Sequence, residues 1–248
     1  MAQGSDSRLM IDEDFFGAAS TLAATTAPPI ALGSLNVVGQ GIAETDSGAP
    51  RMDSDGLNGV IQLTTTNEDV HAAGLQSATM FDVGLMGSIV MEARVRQAAL
   101  NTGEVFIGFS DVNTDLAIIE GAICHGDTVT VTLTASDLVG FLMASDLTDN
   151  SDWHGVYNGG TTTGETTSTS VDFDAGATAG EYQVLRLELF PNGTAEWWVD
   201  GVLEQTVTGA VSTSVDLCLN VIVESKTTAV KTMDVDYIRV WANRDWTA

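Results

Sequence analysis

The chain has very little positive charge. Nine lysines and arginines stand against 34 aspartates and glutamates in 248 residues, a formal net charge of −25, and Lys226 and Lys231 are the only lysines. A surface of that sign repels polyphosphate, and no basic cluster offsets it, so nucleic acid is not expected as a partner. Cysteine is equally scarce. Cys124 and Cys218 lie far apart, with no second pair to build a disulfide framework or a zinc site, and both read as buried, reduced thiols. No stretch reaches the ~20 apolar residues of a membrane-spanning helix. The N-terminus, MAQGSDSRLMIDEDFFG, has neither the basic nor the apolar segment of a secretory signal. Sustained 3.6-residue periodicity and internal repeats are missing too, which excludes helical bundles and solenoids.

What is present is a sandwich pattern. Strand candidates fall at 30–38, 59–66, 88–96, 104–110, 128–134, 138–143, 183–190, 194–199, 202–207, 215–224 and 233–241, separated by turn-rich segments. The length suits one all-β domain that buries roughly 70–75% of its unfolded surface without disulfide help. The reading divides the chain into an extended N-terminal arm, residues 1–30, and a domain over residues 31–248. A long polar loop or a mobile hairpin is expected over Asp149–Ser170.

The stretch LRLELFPNGTAEWWVDGVLEQTV at 185–207 is the most regular. Asn192-Gly193 and Asp200-Gly201 are hairpin-turn signals, because these residues tolerate positive φ. Between the turns the period is close to two. Trp197 and Trp198, adjacent on a strand, must therefore point to opposite faces, one to the core and the other to a surface.

From Tyr182 to Val207, and again at MDVDYIRVW (233–241), the chain resembles the concanavalin A-like jelly roll of laminarinase-type glycoside hydrolases and related lectin-like domains. The matching residues are Trp197-Trp198-Val199-Asp200-Gly201 and Val235-Asp236-Tyr237-Ile238-Arg239-Val240. GSIVMEARVRQ and EVFIGFSD look like an earlier pair of core strands of that fold. The resemblance implies an all-β sandwich of two antiparallel sheets. It does not carry the catalysis, since retaining hydrolysis needs two carboxylates about 5–5.5 Å apart and no E-x-D-x-x-E element occurs. No enzyme is expected. The three histidines fit no lyase motif, and His125 and His154 read as surface residues. Asp111, Asn113 and Asp115 alternate as calcium-loop ligands do, but the glycine and distal acid of such a loop are missing. The resemblance does imply a structural calcium at Asp236. For carbohydrate, Trp198 or Trp197, together with Trp153, are the candidates, because a sugar ring can stack on an exposed indole.

The middle of the chain, DLVGFLMASDLTDNSDWHGVYNGGTTTG, resembles the head decoration (cement) proteins of tailed bacteriophages. That likeness implies a non-enzymatic virion protein made in the host cytoplasm. It would bind the major capsid protein on the outside of the head as a trimer or dimer, with residues 1–30 mediating oligomer or capsid contacts. The alternative is a carbohydrate-binding, lectin-like module, which a virion could equally display.

Overall fold

Turn chemistry and alternation build the first elements. Asp200 and Gly201 take φ of 49° and 83°, the pair of positive values that a two-residue type I′ turn demands, and Asp200 Oδ1 accepts the Val184 amide at 2.8 Å. Around that turn AEWWV is buried at alternate positions, as a strand with one solvated face must be.

The computed structural model describes residues 8–16, 30–39, 51–52, 59–115, 118–226 and 229–244. The N-terminal third contributes β1 (Arg8–Glu13), β2 (Ile30–Leu32), β3 (Leu35–Val38), β4 (Arg51–Met52), β5 (Ile61–Thr64), β6 (Ala72–Gln76) and β7 (Phe81–Asp82). The middle supplies β8 (Ile89–Gln97), β9 (Gly103–Ser110), β10 (Cys124–Asp127), β11 (Thr130–Leu133), β12 (Leu138–Ala144) and β13 (Asp152–Asn158). A single helical turn, α1 (Ser168–Val171), precedes β14 (Asp172–Gly176), β15 (Tyr182–Leu189), β16 (Ala195–Val199), β17 (Val202–Val207), β18 (Asp216–Ser225) and β19 (Thr232–Asn243).

Two antiparallel sheets face each other, as expected for a jelly-roll sandwich. Sheet A runs β17-β16-β15-β8-β19-β5-β4, with β1 also on β19. Sheet B runs β14-β13-β12-β9-β18-β6-β3-β2, with β7 on β18. Between them lies an aromatic cluster in which Phe141 meets Trp153 and Phe173 edge-on, each at 6.2 Å. Trp197 of sheet A reaches across and donates its Nε1–H to the carbonyl of Gly140 in sheet B at 2.9 Å. Gly140 pairs with Gly108, and a Cβ on either would run into the opposite strand's backbone. Both cysteines are buried free thiols. Among the described residues no helix is long and apolar enough to cross a membrane.

Two segments differ from the sequence reading. Residues 8–13, assigned to an arm, form β1 and pair along β19 from Arg8↔Asn243 to Glu13↔Ile238, because Ile11 inserts into the core at 3% exposure. Residues 1–7 and 17–29 of that arm lie outside the described residues. The polar loop or mobile hairpin expected over 149–170 contains β13, whose Trp153 and Val156 are fully buried in the core. Strands β9 and β12 show no alternation, since every position is buried. One of their faces packs on sheet A. The other lies under a cover formed by residues 111–115 and 118–135, which includes the β10–β11 hairpin and buries Ile119, Ile123 and Val131.

Candidate functional site

The covered face of sheet B holds a charged cluster. Glu104 on β9 and Glu224 on β18 are register partners, and both are fully buried. Glu224 accepts the Ile119 amide at 2.5 Å and the Glu120 amide at 3.1 Å, so it is tied to the cover. Glu104 Oε1 accepts the Gly126 amide at 3.2 Å and lies 2.8 Å from His125 Nδ1, while its Oε2 has no partner. Lys226 pairs with Glu120 and stands 3.7 Å from Asp146. Burial, and then the facing Glu104, push the Glu224 carboxyl up to about 8. The hydrogen bond to Glu104 raises the His125 pKa above its ordinary value. Two carboxyl groups thus meet on this face without an E-x-D-x-x-E element, but they are sealed beneath packed isoleucines. In this conformation the pair is a fastening for the cover and touches no open cleft.

The outward face of sheet A is open. Its register aligns Trp198 (β16), Arg186 (β15), Glu92 (β8), Arg239 (β19) and Asp12 (β1) in one row across five strands. At the usual strand spacing the row is roughly 19 Å long. Trp198, Arg186, Glu92, Val184 and Gly201 line a shallow cavity of about 320 Å³, within the range of small-molecule sites. Two donors in that wall, Trp198 Nε1–H and Arg186 Nε–H, have no acceptor among the described residues although both are shielded from solvent. An unmade hydrogen bond on a buried donor costs about 1–3 kcal/mol, a penalty that needs a reason. Tyr237 donates its hydroxyl to Glu92 at 2.9 Å, and burial followed by that bond pushes its pKa up to about 12. Every arginine of the chain stands on a strand of sheet A or directly after one. Four of them are neutralised in place, as Arg94–Asp236, Arg96–Asp234, Arg186–Glu188 and Arg239–Asp12.

Of the tryptophans singled out in the sequence, Trp198 is the one that reaches this face in half-exposed form. Trp197 is its buried counterpart. Trp153 is fully buried and donates to Gln183 Oε1 at 2.9 Å, so its indole offers no surface to a sugar. Asp236 sits at the bulge between Val235 and Tyr237, with its carboxylate engaged by Arg94. Among the described residues no group of three or more His, Cys, Asp or Glu side chains is arranged to hold a metal ion. His154, read as a surface residue, is fully buried, with Nδ1 3.0 Å from the Asp152 carbonyl. His125, also read as exposed, packs against Glu104. Arg186 and Glu92 escaped the sequence reading. Their alternation with Leu185, Leu187, Met91 and Ala93 marks them as outward-facing, but the register that sets them beside Trp198 is tertiary.

No family model matches the chain, and neither does any curated protein. Solved structures do share its fold. Peanut lectin superposes with a TM-score of 0.57 at 12% identity, covering 95% of this chain and 97% of that one. The carbohydrate recognition domain of Emp47p gives 0.53 at 12%, covering 91% and 94%. A protein of unknown function from Shewanella oneidensis MR-1 gives 0.58 at 11%, covering 98% and 89%. The molecule therefore has the concanavalin A-like, lectin-type jelly-roll fold.

Proposed function

We propose that this protein is a lectin-like carbohydrate-binding module that holds a sugar against Trp198 on the outward face of sheet A. The observation that carries this reading is the Trp198–Arg186–Glu92 cavity, where an indole face meets a guanidinium and a carboxylate on neighbouring strands. The indole supplies apolar area for the C–H face of a pyranose. The two planar charged groups offer paired donors and paired acceptors to vicinal hydroxyls. Rigid strands hold all three, so little ordering cost falls on binding. A lectin-type fold fits this role.

The decoration reading rests on the texture of residues 137–164. Much of that stretch forms β12 and β13, and Phe141, Trp153 and Val156 face the interior, where they can touch no capsid. Display of the module on a phage head is a compatible setting, and co-sedimentation with heads that lack the protein tests it. The carbohydrate reading is tested on a glycan array with wild-type protein and Trp198→Ala. Wild-type protein should bind a defined set of glycans and the variant should lose most of that signal; array binding that ignores the substitution would remove Trp198 from the site.

A further inference from the structure

The Trp198 cavity has a neighbour on the same face. Trp241 on β19 is half-exposed, and its register partner on β1 is Met10, 68% exposed. With Arg8, Asp12 and Arg239 these two line a second cavity of about 230 Å³. The two cavities are adjoining. The Arg186 guanidinium, which walls the first, lies 5.9 Å from the centre of the Trp241 ring. Glu92 walls the first as well, and it is the register partner of Arg239, which walls the second.

We propose that Trp241 and Met10 form a second subsite, and that the two cavities together take one neutral oligosaccharide lying obliquely across β16, β15, β8, β19 and β1. This inference rests on the carbohydrate reading of the Trp198 cavity and adds its extent and ligand class. Trp198 and Trp241 are three strands apart and one alternation out of row, a separation of roughly 16 Å at ordinary strand dimensions. One sugar ring cannot touch both, whereas a short chain can. An apolar Met–Trp pair at a sheet margin also gives a flexible thioether beside a flat indole, a surface that adapts to a ring face.

The ligand class follows from charge. Arg94, Arg96, Arg186 and Arg239 each have a carboxylate partner, so those four guanidiniums present little uncompensated charge to an acidic sugar, and Arg8 is the one further cation in the walls of the two cavities. The net charge of −25 opposes polyanions at longer range as well. Hydroxyl-rich, uncharged sugars can instead use the lone pairs and N–H groups that the ion pairs leave free.

The test is titration calorimetry with disaccharides and hexasaccharides of glucose, mannose and galactose, using wild-type protein, Trp198→Ala, Trp241→Ala and Trp241→Phe. Wild-type protein should bind the hexasaccharide of its preferred series more tightly than the disaccharide. Trp241→Ala should weaken the hexasaccharide roughly tenfold, the loss of one aromatic contact, and leave the disaccharide unchanged. Trp241→Phe should restore most of the difference, which separates a stacking role from a merely structural one. Equal affinity for both lengths, with Trp241→Ala silent and Trp198→Ala disruptive, would overturn the second subsite and leave the first standing. If folded wild-type protein binds no neutral series, the carbohydrate reading falls and the second subsite falls with it.

Discussion

Glu224 and Lys231 are fully buried ionisable residues whose proton affinities move in opposite directions. The Glu224 carboxyl is pushed up from 4.5 to about 8, first by burial and then by Glu104. The folded chain therefore keeps a proton that the unfolded chain has released. Stability from this group is complete below about pH 4.5 and is lost as pH rises through 8. Burial lowers the Lys231 amine from 10.5 to about 7, so its contribution is complete above about 10.5 and is lost as pH falls through 7. Unfolding free energy should fall across the weakly acidic range, pass through a shallow minimum near neutrality and recover in alkali. Each limb has an amplitude on the order of a few kcal/mol. Glu224→Gln should flatten the acid limb while the protein stays folded. Its amide oxygen can accept from Ile119 and Glu120, and its NH₂ can donate to the orphaned Oε2 of Glu104. Denaturant midpoints at a series of pH values measure this, and parallel profiles for wild type and variant would show that Glu224 does not set the limb.

At the level of the strand, the link between sheets is sharpest at Trp197, whose ring fills the core and whose N–H reaches Gly140. Trp197→Phe should cost about 1–2 kcal/mol, mainly the hydrogen bond, and Trp197→Ala about 3–5 kcal/mol through the cavity it opens. Urea midpoints should drop accordingly at unchanged slope. The same pair of tryptophans shows how far sequence reaches. Opposite faces for Trp197 and Trp198 follow from alternation alone, and the hairpin turn at Asp200-Gly201 follows from its residues. Partners on other strands do not follow, because register shifts between Trp197 and Trp198 and between Val235 and Tyr237. Those irregularities help decide which side chains share a row with Trp198. Strand β1 was hidden for a different reason: among its six residues Ile11 alone is buried, too weak a pattern to separate strand from arm. The Glu104–Glu224 pair joins residues from opposite halves of the chain, a meeting that no local pattern carries.

Over the whole molecule the dominant force outside the core is self-repulsion. A net charge of −25 favours expansion, and little of it is offset by the ion pairs of sheet A, since exposed pairs contribute only about 0–1 kcal/mol each. Salt acts on repulsion and ion pairing with opposite signs: it screens the repulsion, which stabilises the fold, and it weakens the exposed pairs, which destabilises it. The Debye length falls from about 30 Å at 0.01 M to about 8 Å at 0.15 M ionic strength, so most of the long-range repulsion is removed over that interval, whereas contacts such as Arg239–Asp12 at 2.8 Å act within one screening length at either value. Repulsion is both the stronger force and the more salt-sensitive one. The melting temperature should therefore rise by several degrees between 0.01 M and 0.15 M NaCl. Glycan affinity should change little over the same interval, because the proposed ligand carries no charge. Calorimetric melts and titrations in the same buffers measure both. A melting temperature that falls with added salt would mean that the sheet A ion pairs outweigh the repulsion. An affinity that moves steeply with salt would mean that the ligand is charged, a rise marking an anion relieved of the molecule's repulsion and a fall a cation drawn by its negative surface.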